Sequence, residues 1–330
     1  MSAGWVAATV RAKAMARRRL GAGAARRIAS AQSFADALGL LDGTAYARAG
    51  VPGTTYARPA AAGTTLPEVE WAVAAVELWQ LRVLAGWLPR SAAGLARALG
   101  ARYELMNIEA HARVLAAVPG SPGAGRWPAY QDLGSLALSW PRIAATTSPV
   151  ELRSALAASP WGDPGDDWAA NLHDVLVLRW LGMIVAAAPQ TAEWVTGAAV
   201  LIIAKQLLVA TSGPAGRLVR AAAPLIGSGW ERARSVPDLR AATPVPGRWV
   251  LDGIATPGEL WRAEARLAAR IESDGFRLLR DGTPGVTPVL GAVAVLAADG
   301  WRVRVALGDA AYGAGPGEVL DALDVFGVMA

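Results

Sequence analysis

The chain has no cysteine, which excludes disulfides, thiol catalysis and thiolate metal sites. Histidine is almost missing as well. His111 and His173 are the only two, and a zinc site takes three or four ligands of matched geometry. Asp163, Asp166 and Asp167 lie near His173 in sequence, but their spacing suits the first turn of a helix, where acids complement the macrodipole. No glycine-rich loop runs into Lys-Ser or Lys-Thr, so there is no P-loop; a His-Glu-x-x-His zinc helix is also lacking. No Gly-x-Ser-x-Gly elbow occurs. The cluster Gly313, Gly315, Gly317 lacks dinucleotide spacing and reads as a turn. No catalytic, cofactor-binding or metal-binding residue is expected.

Acids are absent before Asp36, while seven basic residues fall between Arg11 and Arg27. That composition mimics a transit peptide, but it reads more simply as a basic first helix. A long uninterrupted apolar run is also lacking. The greasiest stretch, Trp194 to Ala210, contains Lys205 and Gln206. A spanning helix needs about 20 apolar residues, and a central lysine costs about 2.5–3.5 kcal/mol on insertion. A buried core helix, and no membrane span, is expected.

What is present favours helix. Alanine, leucine and arginine dominate, and all are strong helix formers, so an all-α fold is expected. At 330 residues the chain exceeds one ordinary core. The net charge is +5, carried almost wholly by arginine, with lysine reduced to Lys13 and Lys205. Such a balance suits nucleic acid, an anionic membrane surface or an acidic protein. The planar arginine fork is well matched to carboxylates at interfaces.

Three stretches repeat. Residues 33–46 (SFADALGLLDGTAY), 148–161 (SPVELRSALAASPW) and 235–249 (SVPDLRAATPVPGRW) each begin with serine, carry an acid three positions later and end on an aromatic ring. This is the capping-box pattern, and it predicts a short helix in each. Cap-like starts at Thr65, Asp163 and Thr256, each with a nearby proline and acid, predict longer helices over 67–88, 166–188 and 257–280. In the last, Leu260, Leu267, Ile271 and Leu278 share one face. A closing helix is expected in each repeat, over 95–117, 192–210 and 289–307. In the third it overrides the strand propensity of Val293, Val295, Val303 and Val305. Loops are expected at 119–128, 211–214 and 244–257. Three similar helical-bundle domains follow, at 1–118, 119–212 and 213–330. The tryptophans on the long helices, Trp71, Trp79, Trp87, Trp168, Trp180 and Trp261, read as packing rather than as stacking platforms for bases.

Residues 5–20 (WVAATVRAKAMARRRL), the repeated serine-to-aromatic unit and, above all, residues 103–117 (YELMNIEAHARVLAA) carry a likeness to a known family. Together they resemble the C-type central-stalk collar proteins of archaeal-type rotary ATPases, known as d-type in the vacuolar enzymes. Tyr103, Glu104, Asn107 and Arg113 occupy the positions of that family's aromatic-acid-x-x-Asn helix with its basic residue. In the second repeat, residues 198–210 lack the acid and asparagine and keep only Lys205; in the third, Asp299 is the acid nearest the basic stretch 301–304.

The resemblance implies three domains in a pseudo-threefold, funnel-like arrangement. It implies a non-catalytic central-stalk collar, coupling the rotor stalk to the membrane proteolipid ring for ion transport. Such a protein would be peripheral, on the cytoplasmic face of the cell membrane, with stalk and ring proteins as partners and no nucleic acid. Arg11, Arg17, Arg18 and Arg113 are its candidate interface residues. The alternative from composition is an arginine-rich helical scaffold that binds nucleic acid.

Overall fold

Helix-starting side chains punctuate the chain. The computed structural model describes residues 3–48, 64–117, 129–165, 168–210, 214, 216–313 and 317–321. Its α-helices are α1 (Ala3–Ala16), α2 (Ala22–Ala29), α3 (Phe34–Gly39), α4 (Leu66–Ala85), α5 (Ala93–Ala116), α6 (Trp140–Ala144) and α7 (Pro149–Ala157). The chain continues through α8 (Trp168–Ala187), α9 (Ala192–Leu208), α10 (Gly216–Ile226), α11 (Val236–Ala242), α12 (Val245–Arg248), α13 (Leu260–Leu279) and α14 (Val286–Tyr312). No strand occurs among the described residues. The fold is all-α.

Ser33, Ser148 and Ser235 accept the N–H of the residue three further on, at 3.1, 3.2 and 3.2 Å, and so start α3, α7 and α11. The partner acids reach differently from the expected box. Asp36 accepts the Ser33 hydroxyl at 2.7 Å. Glu151 and Asp238 go one residue beyond the serine, to the N–H groups of Thr147 and Arg234. These bonds help hold Glu151 and Asp238 below the usual carboxylate range, for Asp238 after the larger effect of the Ser235 hydroxyl. Glu68 and Glu259 accept the N–H of Thr65 and Thr256 at 2.8 and 3.0 Å, which starts α4 and the 3-10 turn leading into α13.

The closing helices α5, α9 and α14 form where expected, and α14 stays helical through its valines because those side chains pack inward: Val295 and Val303 are fully buried. The expected loop at 244–257 is a correction. Pro244 stands at the N-cap and Pro246 in the first turn of α12, where the missing proline N–H costs nothing. A 3-10 turn, Trp249–Leu251, follows. The face expected for α13 is only partly inside: Leu260 is buried, whereas Leu267, Ile271 and Leu278 are half-buried. Ala263, Ala265 and Ala269 pack more deeply. The loop expected at 119–128, most of that at 211–214, and Gly315 lie outside the described residues.

Packing divides the chain into two compact units, Met1–Ala93 with Ala268–Ala330 and Gly94–Leu267. In the first, α1 lays Ala8, Ala12 and Met15 against Leu84 of α4 and Val289 and Val295 of α14. Ile28, Leu38 and Leu41 join Val73, Val303 and Leu307 in its other core. In the second, Leu178, Val200, Ile203, Leu218, Trp230 and Leu239 form one core. Ile108, Ile143, Leu152, Leu156, Trp161 and Leu176 form another. These units cut across the sequence repeats.

Three segments, Ala170–Ala187, Pro189–Leu208 and Val286–Tyr312, are long and apolar enough to cross a membrane. The stretch read as a core helix does supply core: Val195, Ala199, Val200, Ile203 and Ala204 of α9 are buried.

Ser235→Ala removes a cap oxygen and leaves the Asp238 N–H without its acceptor. It should lower stability by about 1 kcal/mol, read as a reduced urea midpoint at unchanged m-value.

Candidate functional site

Each closing helix follows a proline within a few residues, and counting from that proline makes a register visible. Fifteen residues beyond Pro89, Pro189 and Pro284 stand Glu104, Ala204 and Asp299. Glu104 and Asp299 are completely buried. A buried carboxylate is tolerated only when its oxygens are well hydrogen-bonded, and both are.

Glu104 on α5 accepts the N–H groups of Leu138 and Ser139 at 2.6 and 2.9 Å, and the indole N–H of Trp161 at 2.8 Å. Asp299 on α14 accepts the N–H groups of Leu20 and Gly21 at 2.8 and 2.7 Å, and the Tyr46 hydroxyl at 2.9 Å. Burial and the adjacent Asp299 carboxylate hold the Tyr46 phenol well above its ordinary range, so it remains a donor. The two joints match part for part. Two successive amides at a helix start and the aromatic ring closing the serine-capped unit converge on one acid. Gly21 and Ser139 are the N-cap residues of α2 and α6, whose first N–H groups have no partner within the helix.

The third joint has no acid on its closing helix at this position. Ala204 is buried on α9, and in the third repeat the corresponding donors find acceptors close by in the chain. Trp249 Nε1 donates to the Pro246 carbonyl at 2.9 Å, and the Gly229 N–H to Glu231 at 2.7 Å. Close apolar approach marks the earlier turns of α9, where it meets α12 and the residues after it. A Cβ on Gly247 would stand 2.7 Å from Thr196 Cγ2, and one on Gly197 3.1 Å from the Trp249 ring.

Two further polar residues of α5 also fasten the chain that follows it. The Asn107 side-chain amide exchanges two hydrogen bonds with the Gln131 backbone, at 2.9 and 2.7 Å. His111 Nδ1 lies 2.9 Å from the Tyr130 hydroxyl, and Nε2 3.0 Å from Thr146 Oγ1. Burial holds this imidazole below its usual range. In α14, Arg302 forks onto Glu272 at 2.7 and 2.6 Å, and Arg304 reaches Glu77 at 3.0 Å. Glu77 fits only because residue 300 is glycine: a Cβ there would lie 1.7 Å from Glu77 Oε1.

Glu104 and Asp299 each accept three hydrogen bonds and so tie distant segments to their helices. Among the described residues, no group of three His, Asp or Glu side chains could hold a metal. Asp163 is instead engaged by Arg153 at 2.8 Å, by the Gly165 N–H at 2.9 Å and by Arg217 at 2.7 Å. The bond from Arg153 contributes most to holding it far below the carboxylate range. Asp166 and Asp167 lie outside the described residues.

Of the expected interface arginines, Arg11 is half-buried on α1, while Arg17 and Arg18 are exposed in the turn after it. Arg113 is exposed on α5 and lies 3.9 Å from Glu109, which also meets His173 Nδ1 at 2.5 Å. Arg11, Arg17 and Arg18 thus gather at one helix, and Arg113 belongs to the other compact unit. Tyr103, Glu104 and Asn107 are buried, so the motif nearest the family pattern points inward. Two tryptophans depart from the packing expected for them: Trp79 and Trp87 are 43% and 51% exposed. Sequence reading noted Asp299 without its role, and the common step from proline was the signal that could have found it.

No protein-family model matches the chain, and no curated protein is significantly similar to it. Internal repetition and the motifs themselves are therefore what the family resemblance stands on.

Glu104→Gln sets an amide N–H₂ against donors and should cost about 2–3 kcal/mol in urea unfolding. Ala204→Glu should cost more, about 3–5 kcal/mol, because it places an unpaired carboxylate at a fully covered position. The His173–Glu109 pair carries a pH signature. The hydrogen bond to Glu109 lifts His173 above its ordinary range. Its stabilisation is full below the unfolded pKa and is lost as pH rises through the raised folded value. His173→Gln should flatten the Tm profile across about pH 6–8 relative to wild type.

Proposed function

We propose that the protein is a non-catalytic collar component of a rotary ATPase of the archaeal or vacuolar type. In this reading it joins the central rotor stalk to the membrane proteolipid ring and carries torque for ion transport. It is peripheral, on the cytoplasmic face of the membrane. Its three sequence repeats form a pseudo-threefold, funnel-like set of helical domains.

The observation that carries this reading is the direction of the hand-over between repeats. The closing helix of the first repeat, α5, holds residues 138–161 of the second through Glu104. The closing helix of the second, α9, packs on α11 and α12 of the third. The closing helix of the third, α14, returns to residues 20–46 of the first through Asp299. Each repeat grips the next, and the last grips the first, which is the connectivity that a closed set of three requires. Stiffness supports the same role. A torque carrier must not yield at its joints, and these joints are buried and either hydrogen-bonded or closely packed. Exposed arginines suit acidic partners, which the planar fork pairs bidentately.

Reconstitution tests the proposal. The purified chain, mixed with detergent-solubilised proteolipid ring and central-stalk proteins, should elute with them as one complex. If it ignores both and instead binds duplex DNA with a steep linear fall of log K against log salt, the collar reading is wrong.

A further inference from the structure

The outer face of α1 is apolar where a solvent-facing helix is ordinarily polar. Val6 and Val10 are 44% and 65% exposed, and Ala3, Ala14 and Arg17 are exposed beside them. Positions 3, 6, 10, 14 and 17 advance by about 3.5 residues a step, the seam spacing of paired helices. They fall within a sector of about 80° at 3.6 residues per turn.

The inner face is already committed. Ala8, Ala12, Met15 and Ala16 are buried against α4 and α14. Lys13 Nζ donates to the Asp281 carbonyl at 3.0 Å, and Thr9 Oγ1 accepts the Gly285 N–H at 3.2 Å. The helix cannot rotate to hide Val6 and Val10 without surrendering that core.

Charge names the occupant. Arg11 borders the stripe, with its Nε buried and without a hydrogen-bond partner. Arg17 and Arg18 are exposed at the end of the stripe, and no acid precedes Asp36. We propose that this face docks an amphipathic helix of a partner protein, apolar along its seam and acidic along its flanks. A bilayer fits less well. Helices that lie in a headgroup layer present bulky Trp, Phe or Leu opposite a solvated basic face. Here the stripe is narrow, made of valine and alanine, and the opposite face is inside the protein. The proposal is independent of the rotary reading, since it fixes the chemistry of a partner and not its machine.

A three-heptad synthetic peptide with leucine at a and d and glutamate at e and g, titrated by fluorescence anisotropy into the full chain, tests this. Binding should weaken about tenfold in Val10→Glu and again in the double variant Arg17→Glu, Arg18→Glu. It should also weaken with added salt. The same peptide with lysine at e and g should bind the double variant better than wild type. Far-UV circular dichroism confirms that each variant keeps its helix. Equal binding by wild type and Val10→Glu, or no binding by wild type, overturns the proposal. So does sedimentation with phosphatidylserine vesicles that depends on Val6 and Val10. Failure to join stalk and ring with peptide binding intact removes the rotary reading alone; the reverse result removes this one alone.

Discussion

A buried carboxylate collecting two consecutive amides and one aromatic donor is the interaction on which this architecture depends. The first amides of any helix lack intrahelical acceptors, and burying them unpaired costs free energy. At α2 and α6 the N-cap amide and the one before it are met by an acid from a distant helix. The chain thereby converts an end-of-helix deficit into a long-range fastening. Asp299 reaches residues 20, 21 and 46, so one side chain fixes a helix start, an aromatic ring and the spacing between them.

The closing helix of the second repeat carries no acid at the matching position. Replacing a buried ionised group by apolar atoms is often neutral in stability, and Ala204 is the small apolar residue at the position where α5 and α14 carry an acid. Backbones approach in the earlier turns of α9, where it meets α12. A methyl group on Gly247 would sit only 2.7 Å from the Thr196 side chain, closer than packed carbons allow. The sequence register is therefore kept while its chemistry changes.

Much of the local structure was legible in the sequence. Serine followed by an acid three residues on marked α3, α7 and α11, and proline with an acid in the first turn marked α4 and α13. Those signals are local, involving atoms a few bonds apart. Legibility failed where the deciding contact was remote. Residues 244–257 read as a loop because two prolines seldom share a helix interior, yet both fall at its start. Tyr103, Glu104 and Asn107 read as carriers of a family pattern, but periodicity assigns a face and not a neighbour, and the partners of Glu104 and Asn107 at Leu138, Ser139 and Gln131 could not be read from it. Trp79 and Trp87 were read as packing because large rings are usually covered. Trp79 stands on the outer side of α4, whose opposite residues already fill the core, and Trp87 lies just past its end.

The first compact unit is drawn from both ends of the chain, residues 1–93 and 268–330, and this fixes an order of events during synthesis. Until α14 leaves the ribosome, α1 has no Val289 or Val295 to cover Ala8 and Ala12, and the amides of Leu20 and Gly21 have no Asp299. The residues between, 94–267, already own their cores and can settle while translation continues. Residues 1–93 must therefore wait for residues 268–330, and the core around α1 closes only after α14 has been made.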